Sequence, residues 1–217
     1  MREHKSISIS GQVFEQLEQD ILIGKYRRGE VLTEMKLVES LGVSRTPIRE
    51  ALRRLEQEHL IEETGRGSIV IGISPDDIED MYEIRMKIEG EAVKKAANRV
   101  TDEELSAMRE VLDLQKYYAE KADGDNSDKI KDLDSQFHEL LYRASGSKIY
   151  VETLLPIHRK LIKYRKASVK KHGRAKVSEA EHEAIYKALK SHDGELAQSL
   201  AIEHLTNARN SITEKEI

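Results

Sequence analysis

Asp134, His138, His182 and His204 are the side chains whose types and spacing most clearly invite chemistry. Asp134 and His138 stand four residues apart, so on a helix they project from one face. They lie among Ile130, Leu133, Phe137 and Leu141, an apolar stripe at helical spacing. His182 is in register with Ile185 and Leu189, and His204 with Leu200 and Ala208. Inward-facing polar groups cost free energy unless something satisfies them. A divalent ion would do so: imidazole suits zinc, nickel, cobalt or iron, and a carboxylate extends the range to manganese. Hydrogen bonding within a core is the commoner fate of a single inward histidine, and each of the three is open to that reading. Four protein ligands complete a tetrahedral zinc site but leave two open positions on an octahedral ion.

Three arginines form a second set. Arg45, Arg49 and Arg53 recur every four residues, with Thr46 beside the first, opposite a stripe of Ile48, Ala51, Leu52 and Leu55. Ser44 precedes them as a candidate N-cap whose hydroxyl can accept from the Thr46 N–H, and Pro47 falls in the first turn, where its missing N–H is harmless. A helix that buries one side and offers guanidinium groups from its first turns suits a major groove, where arginine pairs with guanine O6 and N7. The bland alternative is a solvated arginine face.

The elements that must hold these groups are mostly helical. A helix is expected from about Gln12 to Ile23 after a mobile leader at 1–9. A short one follows from Glu34 to Leu41, capped by Thr33, then the arginine helix, closed near His59. Two short strands, about Ile61–Thr64 and Ser68–Ile71, are joined at Gly65-Arg66-Gly67. Ser74-Pro75-Asp76-Asp77 is a helix start, and the domain boundary is placed at about residue 73. Thereafter everything reads as helix. One runs to Arg99, one opens at the Thr101/Glu104 capping box, and a loop spans Lys121–Asp128. Helices follow at about 128–145 and at 148–171, the latter bent at Pro156. A Ser178/Glu181 capping box opens the next, to Lys190, and Asp193 caps the last, to Ile212. The fold class is mainly α: a winged helix-turn-helix at 1–73 and an antiparallel bundle of six helices at 74–217.

Ser-Arg-Thr-Pro-Ile-Arg-Glu-Ala-Leu at 44–52 closely resembles the recognition-helix signature of the GntR family of bacterial transcription regulators. The similarity spans about residues 10–72. It implies that Ser44, Arg45, Thr46, Arg49 and the Gly65–Gly67 tip touch DNA, with Arg53 and Arg66 on the same faces. Phe137-His138-x-x-Leu-x-x-Ala-Ser-Gly and Glu181-His182-x-x-Ile-x-x-Ala-Leu resemble the FCD-type ligand-binding domain of the FadR branch, in its six-helix, VanR-like form. That resemblance implies a metal held by Asp134, His138, His182 and His204. It also implies an effector met by an arginine near Arg85, which sits on the inward stripe of the bundle's first helix and could clamp a carboxylate with two hydrogen bonds. A surface pair between Arg85 and Glu89 is the competing reading. Asn207 and Tyr82 are further candidates for the effector pocket, packing being the commoner role of a tyrosine. His158 is assigned to solvent or bundle packing, His4 to the leader, and His172 and His192 to helix ends.

Composition bounds these readings. Charged residues are 35% and aromatics 5%, and with three prolines this favours helices over sheet. Cysteine is absent, which excludes disulfides and thiolate metal sites. No run of about 18 apolar residues occurs, so a cytoplasmic protein with no membrane partner is expected. Formal net charge is −4, and residues 1–72 carry 11 Lys and Arg against 12 Asp and Glu, so DNA affinity must come from a local face rather than overall charge. Met35 stands where some relatives carry a basic residue, and Glu62 and Glu63 must point away from phosphate. The expected function is a dimeric regulator, more naturally a repressor, of operator DNA. A small organic acid bound near the metal would control it. The alternatives are a metal-dependent enzyme acting on a small carboxylate, or a regulator in which the metal is itself the signal or purely structural.

Overall fold

Ser8 and Thr33 open the first two helices by accepting from the backbone, Ser8 from Gly11 and Thr33 from Lys36. The computed structural model describes residues 8–120, 126–161, 164 and 173–212. The chain folds as two units, Met1–Ile73 and Ser74–Ile217.

In the first unit α1 (Ile9–Leu22) buries Val13, Phe14, Leu17 and Ile21. It starts earlier than its apolar spacing suggests, because Ser8 supplies the cap; the rest of the expected leader lies outside the described residues. Helix α2 (Glu34–Leu41) ends at Gly42 in the left-handed region. Helix α3 (Arg45–Gln57) buries Ile48, Ala51, Leu52 and Leu55 and packs on α1. Ser44 occupies the N-cap position in extended conformation, yet makes no side-chain cap hydrogen bond, contrary to the expectation from its hydroxyl. Arg54, one position from the exposed arginine stripe, lays its guanidinium 3.8 Å from the Phe14 ring centroid and so joins α3 to α1.

Strands β2 (Ile61–Thr64) and β3 (Gly67–Val70) pair antiparallel, with Ile61 opposite Val70 and Thr64 opposite Gly67. A third strand escapes the sequence reading: β1 (Val31–Leu32) pairs with the outer edge of β3, giving the order β1-β3-β2. Two residues are too few to show alternation, and only the tertiary fold brings them to a sheet edge. At the hairpin tip the Thr64 hydroxyl donates to the Gly67 carbonyl at 2.6 Å and accepts from the Arg66 N–H at 3.3 Å. Gly67 has φ +127°, and a Cβ there would stand 2.7 Å from the Leu32 carbonyl oxygen. Gly67→Ala is therefore expected to destabilise this unit by about 2 kcal/mol or more, read as a lowered urea midpoint, because both the backbone conformation and the contact are backbone-fixed.

The second unit is all helix among the described residues. Helix α4 (Pro75–Ala97) begins with a reciprocal box: the Ser74 hydroxyl accepts from the Asp77 N–H, and the Asp77 carboxylate accepts from the Ser74 N–H at 2.8 Å. Helix α5 (Asp102–Glu120) starts at Thr101, whose hydroxyl accepts from Glu104 N–H while Glu104 accepts from Thr101 N–H. Then come α6 (Ser127–Ala144), α7 (Lys148–Lys160), α8 (Arg174–Lys190) and α9 (Gly194–Asn210). Most of the expected continuation of α7 to residue 171 lies outside the described residues, as does most of the 121–128 loop. Ser178 does not open α8: the helix starts one turn earlier, at Arg174 after Gly173 in the left-handed region, and Arg174 reaches Glu181 at 2.9 Å, which stabilises the added turn.

Leu112, Phe137, Leu141, Leu154, Ile185, Leu189 and Ala197 form the centre of one core, with Ala92, Val93 and Ala96 of α4. Gly90 lets α4 approach α9 closely, since a Cβ would sit 3.2 Å from the Ile202 side chain. This core positions the polar cluster described next, because α4, α5, α6, α7, α8 and α9 each contribute a residue to it.

Candidate metal centre and nucleic-acid interface

Helix periodicity delivers Asp134 and His138 from α6, His182 from α8 and His204 from α9 to one buried spot. One ligand atom from each lies within 4.8 Å of the others. His182 Nε2 is 3.3 Å from His204 Nε2 and 3.6 Å from Asp134 Oδ1, and His138 Nε2 is 3.9 Å from the same oxygen. Donors bound at about 2.1 Å stand about 3.4 Å apart around a tetrahedral ion, and about 3.0 or 4.2 Å apart around an octahedral one, so the spacing is compatible with either.

The outward nitrogens are all engaged. His138 Nδ1 is 2.9 Å from Glu89 Oε1, His182 Nδ1 is 3.0 Å from Gln115 Oε1, and His204 Nδ1 is 2.7 Å from Glu181 Oε2. An ionised carboxylate or an amide oxygen only accepts, so each Nδ1 carries a proton, and a neutral ring held in this way turns its Nε2 lone pair inward. Two such lone pairs facing at 3.3 Å, in His182 and His204, repel unless a proton or a metal ion lies between them. This donor set fits a divalent ion.

Burial favours the neutral ring at His182 and His138. Burial pushes His182 well below its ordinary value, and the neighbouring histidines add to the shift; burial also lowers His138, against the pull of Glu89. For Glu89 burial alone would raise the carboxyl, but Arg85 and His138 outweigh it and hold it well below the carboxylate range. Glu181 is held down likewise, against burial, by His204 and Arg174.

Arg85 and Glu89 do form a pair, but it is not at the surface: their side chains are 2% and 1% exposed. Arg85 Nε donates to Glu89 Oε2 at 2.8 Å and Nη2 to Oε1 at 3.3 Å, with Tyr142 Oη 3.5 Å from Nη2. The inward stripe of α4 and the i,i+4 spacing are both satisfied because the pair itself is buried. Tyr82 is buried beside it, its ring 5.8 Å from the guanidinium. Asn207 lies on the outer side, where its amide donates to Glu181 Oε1 at 2.9 Å.

Of the two roles open to His158, solvent or bundle packing, it takes the second. It is buried on α7 with its ring 4.7 Å from that of His138 and its Nε2 3.8 Å from Asp134 Oδ2, so it belongs to the cluster's surroundings rather than to solvent. Its spacing from Leu154 was the available signal. His59 and His192 close α3 and α8 at φ +57° and +56°, and His192 Nδ1 lies 2.7 Å from the Ala97 carbonyl. His4 and His172 lie outside the described residues. Glu89, Gln115 and Glu181 were missed as partners of the histidines, because only packing brings α4, α5 and α8 to their Nδ1 atoms.

In the first unit Ser44, Arg45, Thr46, Arg49 and Arg53 are all exposed along one side of α3, and Gly65 and Arg66 are exposed at the hairpin tip, with Gly67 half-buried. Arg49 Nε donates to Glu34 Oε1 of α2 at 2.8 Å. That leaves its terminal nitrogens to project. Met35 is exposed on α2, and Glu62 and Glu63 are exposed on β2.

A winged helix-turn-helix followed by a helical bundle with a buried polar centre defines a ligand-responsive class of DNA-binding regulator. Residues 9–71 match the family described as bacterial regulatory proteins, gntR family, and residues 80–207 match the FCD domain. The chain belongs to the GntR family and carries an FCD domain; it is a DNA-binding transcriptional regulator and not an enzyme. It is 32% identical over 200 residues to the uncharacterized HTH-type transcriptional regulator YdhC of Bacillus subtilis, covering 90% of this chain and 87% of that one. It is 30% identical to the gluconate operon transcriptional repressor of Bacillus licheniformis, over 59% of this chain and 52% of that protein. Among solved structures, E. coli McbR/YncC has the same fold, with a TM-score of 0.78 and 23% identity over 94% of this chain and 97% of the other. No helix among the described residues is long and apolar enough to cross a membrane.

Proposed function

We propose that this regulator acts in the cytoplasm as a homodimeric repressor on a pseudo-palindromic operator. Its operator affinity would be set by a small organic acid bound beside a divalent metal in the bundle. Ser44, Arg45, Thr46, Arg49 and Arg53 would enter the major groove, while Gly65, Arg66 and Gly67 would reach the neighbouring backbone. Two copies would read half-sites about one duplex turn, ~34 Å, apart.

The observation that carries the sensory half is the approach of two buried, Nδ1-protonated imidazoles through their Nε2 atoms. Asp134, His138, His182 and His204 would hold zinc, nickel or manganese; the ion, when bound, supplies a Lewis-acidic anchor for an anion. Charge supports an anion there. Glu89 is paired with Arg85 and Glu181 with Arg174, so the loaded centre would keep the ion's two positive charges against the single negative charge of Asp134. That favours a carboxylate. The Arg85 Nε and Nη2 are already bound to Glu89, so the effector would meet Arg85 as charge backing near Tyr82 rather than as a free clamp. Asn207 would act by steadying Glu181.

The test is an operator recovered by genome-wide capture, titrated by gel shift against a panel of small carboxylic acids, with and without chelator. An acid that shifts affinity at least fivefold, only in metal-loaded protein, is the expected result. A shift from chelator alone, with no acid active, would make the metal itself the signal. Failure to recover any preferred sequence would remove the operator reading.

A further inference from the structure

Each of the three histidines is held at Nδ1 from a different helix, and the three holders are not alike. Glu89 of α4 is backed by Arg85, with Nε–Oε2 at 2.8 Å, and Glu181 of α8 is backed by Arg174 at 2.9 Å. Gln115 of α5 is neutral, buried, and meets His182 Nδ1 at 3.0 Å, with no arginine bound to it among the described residues. The fourth member, Asp134, has His158 of α7 facing its second oxygen at 3.8 Å. His182 is thus the one imidazole of the set held by an uncharged acceptor, and its ring is also stacked on Phe137 with centroids 4.5 Å apart.

An outer partner that accepts from Nδ1–H fixes the tautomer, aims Nε2 and raises the basicity of the ring towards a metal. Orientation matters most at His182, because its Nε2 faces both His204 Nε2 and Asp134 Oδ1. Phe137 restrains the plane of the ring, but an apolar face cannot distinguish one nitrogen from the other. Gln115 supplies that distinction. The inference rests on the metal reading given above. We infer that Gln115 is a positioning residue that sets the bundle's affinity for a divalent ion by holding His182 with its Nε2 lone pair inward. It is also the outer partner that can be changed without breaking an ion pair, whereas replacing Glu89 leaves Arg85 buried and unpaired.

The probe is Co2+ alone, titrated into the full chain, with its visible absorption bands reporting coordination and a competing chelator giving the Kd. Gln115→Met, close in shape but without an amide oxygen, is expected to bind Co2+ 10- to 100-fold more weakly than the unsubstituted protein. Gln115→Glu, which can still accept, is expected to stay within a few-fold. Equal affinity in Gln115→Met and the unsubstituted protein would overturn the inference, and equal weakening in both variants would assign the loss to packing and overturn it too. Should Gln115→Met fail to fold, Glu181→Leu carries the same argument through His204 at the less buried edge of the cluster, and an unchanged Kd there sinks the outer-partner account. If the unsubstituted protein takes up neither Co2+ nor Zn2+, the metal reading itself falls, an outcome distinct from binding that ignores these substitutions.

Discussion

Alanine at both His182 and His204 is expected to strip the bundle of its ion and to make its thermal stability indifferent to chelators. In the unsubstituted protein an ion bound at about a thousand times its Kd stabilises the native state by roughly 4 kcal/mol, enough to move Tm by about 10 °C or more for a unit of this size. Chelator should therefore lower the melting temperature of the unsubstituted protein markedly and leave the double variant where it stands. The variant also leaves Gln115 Oε1 and Glu181 Oε2 without their imidazole donors, so its own melting should start lower even without chelator. Elemental analysis beside calorimetry separates the two contributions. An unsubstituted protein that carries no ion and melts alike with and without chelator would leave the cluster as a hydrogen-bonded core and nothing more.

Arg49→Ala should cost operator affinity without unfolding the chain. The Arg49 side chain is 64% exposed and its partner Glu34 is 38% exposed, so their pair contributes little to stability and Tm should hardly move. A lost bidentate contact to guanine is worth about 1–3 kcal/mol, or roughly 5- to 150-fold in Kd, and removes preference at one base position. A lost phosphate contact would instead weaken all sequences alike and flatten the salt dependence by about one counterion. The Glu34 carboxylate, freed of its partner, adds repulsion to DNA in either case. Quantitative gel shifts across a salt series, on the selected operator and on single-base variants, distinguish these; undiminished binding would discredit α3 as the reading element.

The apolar stripes explain why so much of the helical order could be read in advance. Ile48, Ala51, Leu52 and Leu55 announce α3, and the same spacing around Leu133, Phe137 and Leu141 places Asp134 and His138 on the inner face of α6. Capping chemistry is equally local: Ser74 with Asp77 and Thr101 with Glu104 close as their spacing implies. Local rules fail where a distant partner intervenes. Ser178 has the right spacing for a cap, but the Arg174–Glu181 contact extends α8 past it. Ser44 stands at the cap of α3 without using its hydroxyl. Strand β1 exists only because β3 offers it an edge.

Which residues face inward is written in the order of side chains along each helix, because periodicity is a property of neighbouring positions. The fold class, the arginine stripe of α3 and the inward aspartate and histidines all follow from it. What each inward group meets is another matter, since partners such as Gln115 and His182 are 67 positions apart. The burial of the Arg85–Glu89 pair, the turn of His158 towards Asp134 and the choice of Nε2 as the inward nitrogen were decided by helix packing alone. Packing sets distances between remote positions, and it is distance that determines whether a buried charge is neutralised and which lone pair is left to bind.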